Sequence, residues 1–155
     1  MVFKNSDESQ VIKKIYLKVK TDSTLAAQLL AWFEGLNEPP LDNQRVWWQC
    51  QTALKEGFDN AVEHAHKDLL PDTTIEIEAV RLGSTIEIRI WDQGPPFDLE
   101  RQLREQLAKN PDPFDPGPEP EDHGRGLWIM KKIADDLSYV RTSDNRNCLQ
   151  IIKRY

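Results

Sequence analysis

Several features that mark whole classes of protein are scarce in this sequence. Its two cysteines, Cys50 and Cys148, have no C-x-x-C spacing, which argues against a structural zinc site or a disulfide scaffold. The formal net charge is -6, whereas nonspecific nucleic-acid binding requires a basic surface. No segment approaches the roughly 20 apolar residues that cross a bilayer, and residues 1–6 lack the apolar stretch of a secretory signal. We therefore expect a cytoplasmic protein that contacts neither membrane nor nucleic acid directly.

The length and composition indicate one globular unit. A chain of 155 residues predicts a single domain spanning 1–155, and a hydrophobic content of 39% is enough for a substantial core. The sequence contains no internal repeat. Its glycines also fit neither the Walker pattern nor the dinucleotide-binding pattern, so a P-loop or Rossmann domain is not expected.

Hydrophobic periodicity divides the chain into strands and helices. Alternation predicts strands at 11–19, 73–82, 85–91, 137–141 and 148–153, with Gly83-Ser84 and Ser143-Asp144-Asn145 as hairpin turns. Spacings of three and four residues predict helices at 24–33, about 42–67, 99–109 and 126–136. Residues 110–122 contain five prolines in thirteen positions and predict an irregular loop, so a lid segment at about 99–123 is expected.

This order of elements predicts an α+β fold, not the βαβαβ order of a Rossmann domain. The strands come mostly in adjacent pairs, and the apolar stripes of the helices need a surface to cover. We expect a two-layer α/β sandwich, with a mixed, mainly antiparallel sheet and helices on one face.

The first pair of candidate site residues lies on the long predicted helix. Glu56 and Asn60 are four residues apart and therefore project from the same face. Asn and Gly57 are both unfavourable inside a helix, which suggests that stability is traded for a site. Asn60 is then an oxygen ligand for Mg²⁺ and Glu56 a general base. The alternative is an exposed, solvated Glu-Asn pair.

The second candidate follows a strand. Asp92 ends the alternating run 85–91, and its carboxylate can accept a hydrogen bond from an exocyclic amine, which would select adenine over guanine. Gly94, two residues later, permits a close backbone approach. The alternative is an ordinary Asp-x-Gly turn after an edge strand.

The third candidate opens the last predicted helix. Gly124, Arg125 and Gly126 present free backbone N–H groups at a helix N-terminus, where the helix dipole favours an anion. Arg125 adds a charge for a phosphate. The alternative is a hinge that ends the loop. The three signals together, in this order, favour nucleotide binding.

The three motifs resemble those of one superfamily. The run Glu56-Gly57-Phe58-Asp59-Asn60-Ala61-Val62-Glu63-His64 resembles the N box of the GHKL (Bergerat-fold) ATPases, and Asp92-Gln93-Gly94-Pro95-Pro96-Phe97-Asp98 resembles their first glycine box. Gly124-Arg125-Gly126-Leu127-Trp128-Ile129-Met130 resembles the second. The Asn-Ala-x-x-His, Pro-Phe-Asp and Gly-Arg-Gly-Leu forms are most similar to the bacterial anti-sigma-factor serine/threonine kinases, over about 13–154.

The resemblance implies a function and a set of site residues. Asn60 would coordinate Mg²⁺ between the ATP phosphates, and Glu56 would activate the attacking hydroxyl or water. The implied nucleotide-binding set also contains Asp92, Gly94, Phe97, Gly124, Arg125, Gly126 and Leu127. Such proteins bind a sigma factor, phosphorylate a STAS-domain antagonist on Ser or Thr, and are expected to form homodimers.

The sequence departs from the family pattern, and other functions stay open. The last strand reads Arg146-Asn147-Cys148-Leu149 where many relatives have Gly-Thr-Thr, which puts one adenine-side contact in question. One alternative is an ATP-gated protein-binding regulator without effective kinase activity. Another is an isolated histidine-kinase-type ATPase domain, against which the Pro-Phe-Asp ending and the lack of an upstream phosphoacceptor helix argue. A purely structural α/β domain would require all three motifs to be coincidental.

Overall fold

The computed structural model describes residues 10–109, 112 and 125–155. The predicted order of strands and helices is confirmed. The strands are β1 (Val11–Lys20), β2 (Thr74–Leu82), β3 (Thr85–Asp92), β4 (Asp136–Arg141) and β5 (Asn147–Arg154). The helices are α1 (Ala26–Glu34), α2 (Gln44–Asn60), α3 (Leu99–Lys109) and α4 (Gly126–Ile133). Gly124 and, apart from Asp112, the predicted irregular loop at 110–122 lie outside the described residues.

The five strands form one sheet in the order β1-β2-β3-β5-β4. All four pairs of neighbouring strands are antiparallel, so the described sheet contains no parallel pair, whereas a mixed sheet was expected. Two predicted hairpin turns are present, one through Gly83-Ser84 and one before β5, where Asn145 has a φ of 62°. The β3–β5 pairing places Asp92 opposite Asn147, at one end of the sheet.

Alternation of apolar and polar residues produces the two layers. The residues that point inward from β2 and β3 are buried, and helices α1, α2 and α4 supply the opposite side of the core. The core includes Phe33, Leu54, Phe58, Ile77, Ile88, Ile90, Met130 and Ile151. Gly57 allows α2 to lie close to the sheet, because a Cβ added there would meet the Ile90 Cδ1 atom at 2.5 Å. The predicted two-layer α+β fold is therefore confirmed.

Two helix ends differ from the prediction. The long helix begins after Asn43, whose side chain accepts hydrogen bonds from the N–H groups of Arg45 and Val46. Beyond Asn60 it does not continue as α-helix but widens into a π-helical turn over Ala61–Ala65. The last helix ends at Ile133 rather than at 136, because Ala134 is extended and the chain enters β4 at once.

None of the helices in the described part of the chain is long and apolar enough to span a membrane.

Candidate functional site

A cavity of about 400 Å³ opens between the end of α2, the segment after β3, and helices α3 and α4. This volume falls within the range of small-ligand sites. Three predicted site residues line it: Asn60, Phe97 and Leu127. Polar side chains from the turn after α2 and from α3 complete much of the wall: His64, Gln102, Glu105, Gln106 and Lys109.

Glu56 lies beside the first residue of α4. A Cβ added to Gly126 would come within 2.9 Å of the Glu56 Oε2 atom, so the carboxylate packs against this glycine. Glu56 is half-buried, as is Asn60 one turn later. The structure thus brings the Glu56/Asn60 pair and the start of α4 together, although they are far apart in sequence.

Asp92 is buried, with 4% of its surface exposed, and one of its two carboxylate oxygens is occupied. The Oδ1 atom accepts hydrogen bonds from the Gly94 N–H at 2.9 Å and from the Asn147 Nδ2 at 2.8 Å. Within the residues that the structure describes, Oδ2 accepts no hydrogen bond. This arrangement fixes the carboxylate, and Asp92 itself is not among the residues that line the cavity.

Asn147 was not predicted as a site residue, yet it has no exposed surface and contacts the Asp92 turn twice. Its Nδ2 also donates to the Gly94 carbonyl at 2.9 Å, and its Oδ1 accepts from Arg141 Nη1 at 3.0 Å. Arg141 in turn donates to the Gly94 carbonyl at 3.0 Å. The only sequence signal was a polar residue opening the last strand, at the position where the family pattern differs.

Gly94 is required by a close backbone approach. A Cβ at this position would lie 2.8 Å from the carbonyl carbon of Ala65 and closer still to its oxygen. Since Ala65 ends the π-helical turn that follows Asn60, this contact packs the Asp92 turn directly against that π-helical turn.

Phe97 is held by a second aromatic residue. Its ring centroid lies 4.3 Å from that of Tyr139, and its N–H donates to the Tyr139 Oη at 3.3 Å. Burial raises the pKa of Tyr139 to about 12, so the hydroxyl stays protonated at neutral pH. The two contacts position the segment after Asp92 along the cavity wall.

The N-terminus of α4 is capped from another helix. Arg125 precedes the helix without a side-chain cap, and the buried Gln106 of α3 accepts a hydrogen bond from the Trp128 N–H at 3.0 Å. Gly126 and Leu127 therefore start a helix whose first turn borders the cavity. No local sequence pattern revealed this cap, because the two residues belong to different elements.

The oxygen atoms at the cavity suit a cation that is bound mainly by phosphate and water oxygens. Among the described residues there is no group of three or more His, Cys, Asp or Glu side chains able to hold a metal. Magnesium characteristically takes one or two protein ligands together with phosphate oxygens and water. The single amide oxygen of Asn60 at the cavity fits that mode and does not fit a metal held by protein alone.

Comparisons with known proteins show that the chain is similar in sequence to serine-protein kinases. Serine-protein kinase RsbW of Listeria monocytogenes serovar 1/2a is 32% identical over 88 residues, which are 55% of this chain and 52% of that protein. Serine-protein kinase RsbW of Oceanobacillus iheyensis is 32% identical over 87 residues, 56% of this chain and 53% of that protein. The chain spans about half the length of the curated relatives it matches.

A family model provides the wider match. The model described as the histidine kinase-like ATPase domain matches residues 19–153, a range that contains all three motifs. This match confirms the GHKL resemblance stated from the motifs. The chain therefore belongs to the histidine kinase-like ATPase domain family.

Proposed function

We propose that this protein binds Mg-ATP in the cavity and acts as an anti-sigma factor and serine/threonine protein kinase. The observation that carries the proposal is the meeting of the three motifs. Glu56 contacts Gly126, Asn60 shares a cavity with Phe97 and Leu127, and Asp92 has one oxygen preset by its neighbours.

Each residue has a role in nucleotide binding. Asp92 Oδ2 accepts the hydrogen bond of the adenine amino group beside Gly94, and Phe97 and Leu127 cover the apolar part of the ligand. Gly124, Arg125 and Gly126 bind the phosphates through backbone N–H groups and the guanidinium. Asn60 supplies an oxygen ligand for Mg²⁺, which neutralises charge on the phosphates when bound.

Glu56 is the proposed general base. The carboxylate lies next to Gly126, and this contact supports a role near phosphates bound at the start of α4. There it accepts the proton of the attacking hydroxyl, while the remaining catalysis is positioning and charge neutralisation. The kinase activity also draws support from relatives named serine-protein kinases.

The proposed partners follow from the same family. They are a sigma factor and a STAS-domain antagonist that is phosphorylated on Ser or Thr, and the protein is a homodimer in the cytoplasm. Direct contact with nucleic acid or membrane is not part of the proposal, and the net charge of -6 is consistent with protein partners.

A Glu56→Gln variant tests the catalytic role. Gln keeps the size and hydrogen-bonding capacity of the side chain but does not accept a proton, so phosphate transfer from ATP to a purified STAS protein should fall by about 100-fold or more. Binding of Mg-ATP, measured by calorimetry, should change little. Equal transfer by the two proteins would contradict the role of Glu56. Binding of ATP with no transfer by the wild type would favour an ATP-gated regulator.

A further inference from the structure

We propose that His66 is a positioning residue for the nucleotide site, which as a neutral ring holds the Asp92-Gln93-Gly94 turn against the end of α2. This inference rests on the proposed function, since the turn matters through the adenine contact of Asp92. None of the three sequence motifs contains His66.

His66 joins three parts of the fold. It is buried, with 2% of its surface exposed, directly after the π-helical turn. The Gln93 N–H donates to its Nε2 at 2.8 Å, and its Nδ1 lies 2.6 Å from the Thr21 Oγ1. Thr21 Oγ1 in turn donates to the carbonyl of Thr73 at 2.6 Å. The ring therefore connects the ends of β1 and β3.

These contacts define the protonation state. A backbone N–H only donates, so Nε2 must be the unprotonated nitrogen that accepts from Gln93. The proton of the neutral ring is then on Nδ1 and is donated to Thr21 Oγ1, whose own proton goes to Thr73. A protonated ring would present an N–H at Nε2 to the Gln93 N–H, and this hydrogen bond would be lost.

The turn held by His66 carries the proposed adenine contact. Gln93 lies between Asp92 and Gly94, and Gly94 packs on Ala65, the residue before His66. The hydrogen bond to Gln93 and the contact of Gly94 with Ala65 therefore fix this turn against the same short segment of chain. Loss of the hydrogen bond removes one of the two contacts that hold the turn to this segment.

The surroundings of His66 favour the neutral ring. Burial lowers the pKa of His66 below its ordinary value of about 6.5, while the nearby Asp92 carboxylate opposes that shift. Lys20 and Thr21 lie at the end of β1, and the Lys20 ammonium pairs with the Asp72 carboxylate at 3.5 Å. The ring is thus neutral at pH 7, and its contribution to folding is present above about pH 6.5 and is lost as the pH falls through its folded pKa.

Nuclear magnetic resonance of ¹⁵N-labelled histidine tests the geometry in the wild-type protein without nucleotide. We expect the His66 ring to show protonated Nδ1, unprotonated Nε2 and a pKa below 6.5. A ring protonated at Nε2, or one that titrates at or above 6.5, would overturn the proposal.

Two substitutions separate the ring nitrogens. His66→Gln places an amide oxygen at about the reach of Nε2, so it keeps an acceptor for Gln93 and does not titrate. His66→Asn reaches only to the position of Nδ1 and leaves the Gln93 N–H unpaired. At pH 7.5 we expect Mg-ATP affinity within about threefold of wild type for His66→Gln and about tenfold lower for His66→Asn.

The pH profile provides a readout that a merely structural role would not change. The ratio of the wild-type Kd to the His66→Gln Kd for Mg-ATP cancels the titration of ATP itself and every other pH effect that the two proteins share. We expect this ratio to rise about twofold where the pH equals the folded pKa of His66 and to approach tenfold at lower pH. The unfolding temperatures without nucleotide show which variants are folded. If His66→Asn does not fold, the Mg-ATP affinities of Thr21→Val and Thr21→Ser are compared instead, because only Ser keeps a hydroxyl for Nδ1.

The results separate a failure of the His66 role from a failure of nucleotide binding itself. The role of His66 would be overturned by a Kd ratio that does not change with pH, together with wild-type Mg-ATP affinity in folded His66→Asn or folded Thr21→Val. Nucleotide binding itself would then stand. A wild type that binds no Mg-ATP at any pH would contradict the proposed function, and with it this role, whatever the ring resonances show.

Discussion

The orientation of the Asp92 carboxylate depends on hydrogen bonds to one of its oxygen atoms. Two donors occupy its Oδ1, and both come from residues that are themselves fixed, Gly94 by backbone packing and Asn147 by burial. The Oδ2 atom, which we propose contacts adenine, is therefore oriented before any ligand arrives, and such preorganisation lowers the entropic cost of binding.

Asp92→Asn tests the proposed adenine contact. The amide can still place one oxygen, but it can turn an NH₂ group toward the ligand amine, so we expect ATP affinity to fall about tenfold or more and the preference over GTP to shrink. Calorimetry with ATP and GTP measures both effects. Asp136→Asn, at an exposed carboxylate at the start of β4, is the control. An unchanged ATP-over-GTP preference would rule out this assignment.

Asn147→Asp tests the amide that holds Asp92. The change puts a second carboxylate beside the first in a buried place, so at pH 7.5 we expect a destabilisation of about 3 kcal/mol. Because two buried carboxylates in contact favour a protonated form in the folded variant, stability relative to wild type should recover as the pH falls toward 5.

Thermal unfolding between pH 5 and 8 measures the effect of Asn147→Asp. Asn145→Asp in the exposed turn of the same hairpin is the matched control and should show no such recovery. A loss of stability that does not depend on pH would indicate a cavity or packing defect instead of charge repulsion.

At the level of helices and strands, local sequence patterns were enough to predict the strands, the hairpins and the positions of the helices. Alternation and helical spacing are local, and so are the turn signals at Gly83-Ser84 and Asn145. The π-helical turn after Asn60 lies against Gly94, and the chain just after α4 donates from the Asp135 N–H to the Ile152 carbonyl, so both contacts join segments distant in sequence. For the same reason the contacts of His66, Gln106 and Asn147 could not be predicted, since each joins two separate elements.

Gly94→Ala tests the packing of the Asp92 turn on the end of α2. The new Cβ would meet the backbone of Ala65, which cannot rotate away, so we expect a loss of about 1–3 kcal/mol in unfolding free energy. Gly57→Ala is the matched control because its Cβ meets the movable end of Ile90 and Ala is favoured over Gly by about 1 kcal/mol in a helix.

Denaturant unfolding compares the two glycine variants. A loss of unfolding free energy in Gly94→Ala no larger than that in Gly57→Ala would contradict the close packing of the Asp92 turn on Ala65.

At the scale of the whole molecule, the sheet separates two kinds of surface. The helix-covered face supplies the core, and the candidate site lies at the end of the sheet where β3 finishes and β5 begins. The other face carries ion pairs between neighbouring strands, including Lys14–Glu78 at 3.4 Å and Arg89–Glu78 at 3.1 Å. Such half-exposed pairs add little stability, so the fold depends mainly on the core next to the site.

The most direct test of the account is calorimetric titration of the purified wild type and of Asn60→Ala with ATP, with and without Mg²⁺, and with Mg-GTP as control. We expect Mg-dependent binding that prefers ATP, and at least about tenfold weaker binding by Asn60→Ala at an unchanged nucleotide-free unfolding temperature. Absence of Mg-ATP binding by the wild type would contradict it. So would an Asn60→Ala variant that loses stability without nucleotide and yet binds Mg-ATP normally, because Asn60 would then be a structural residue.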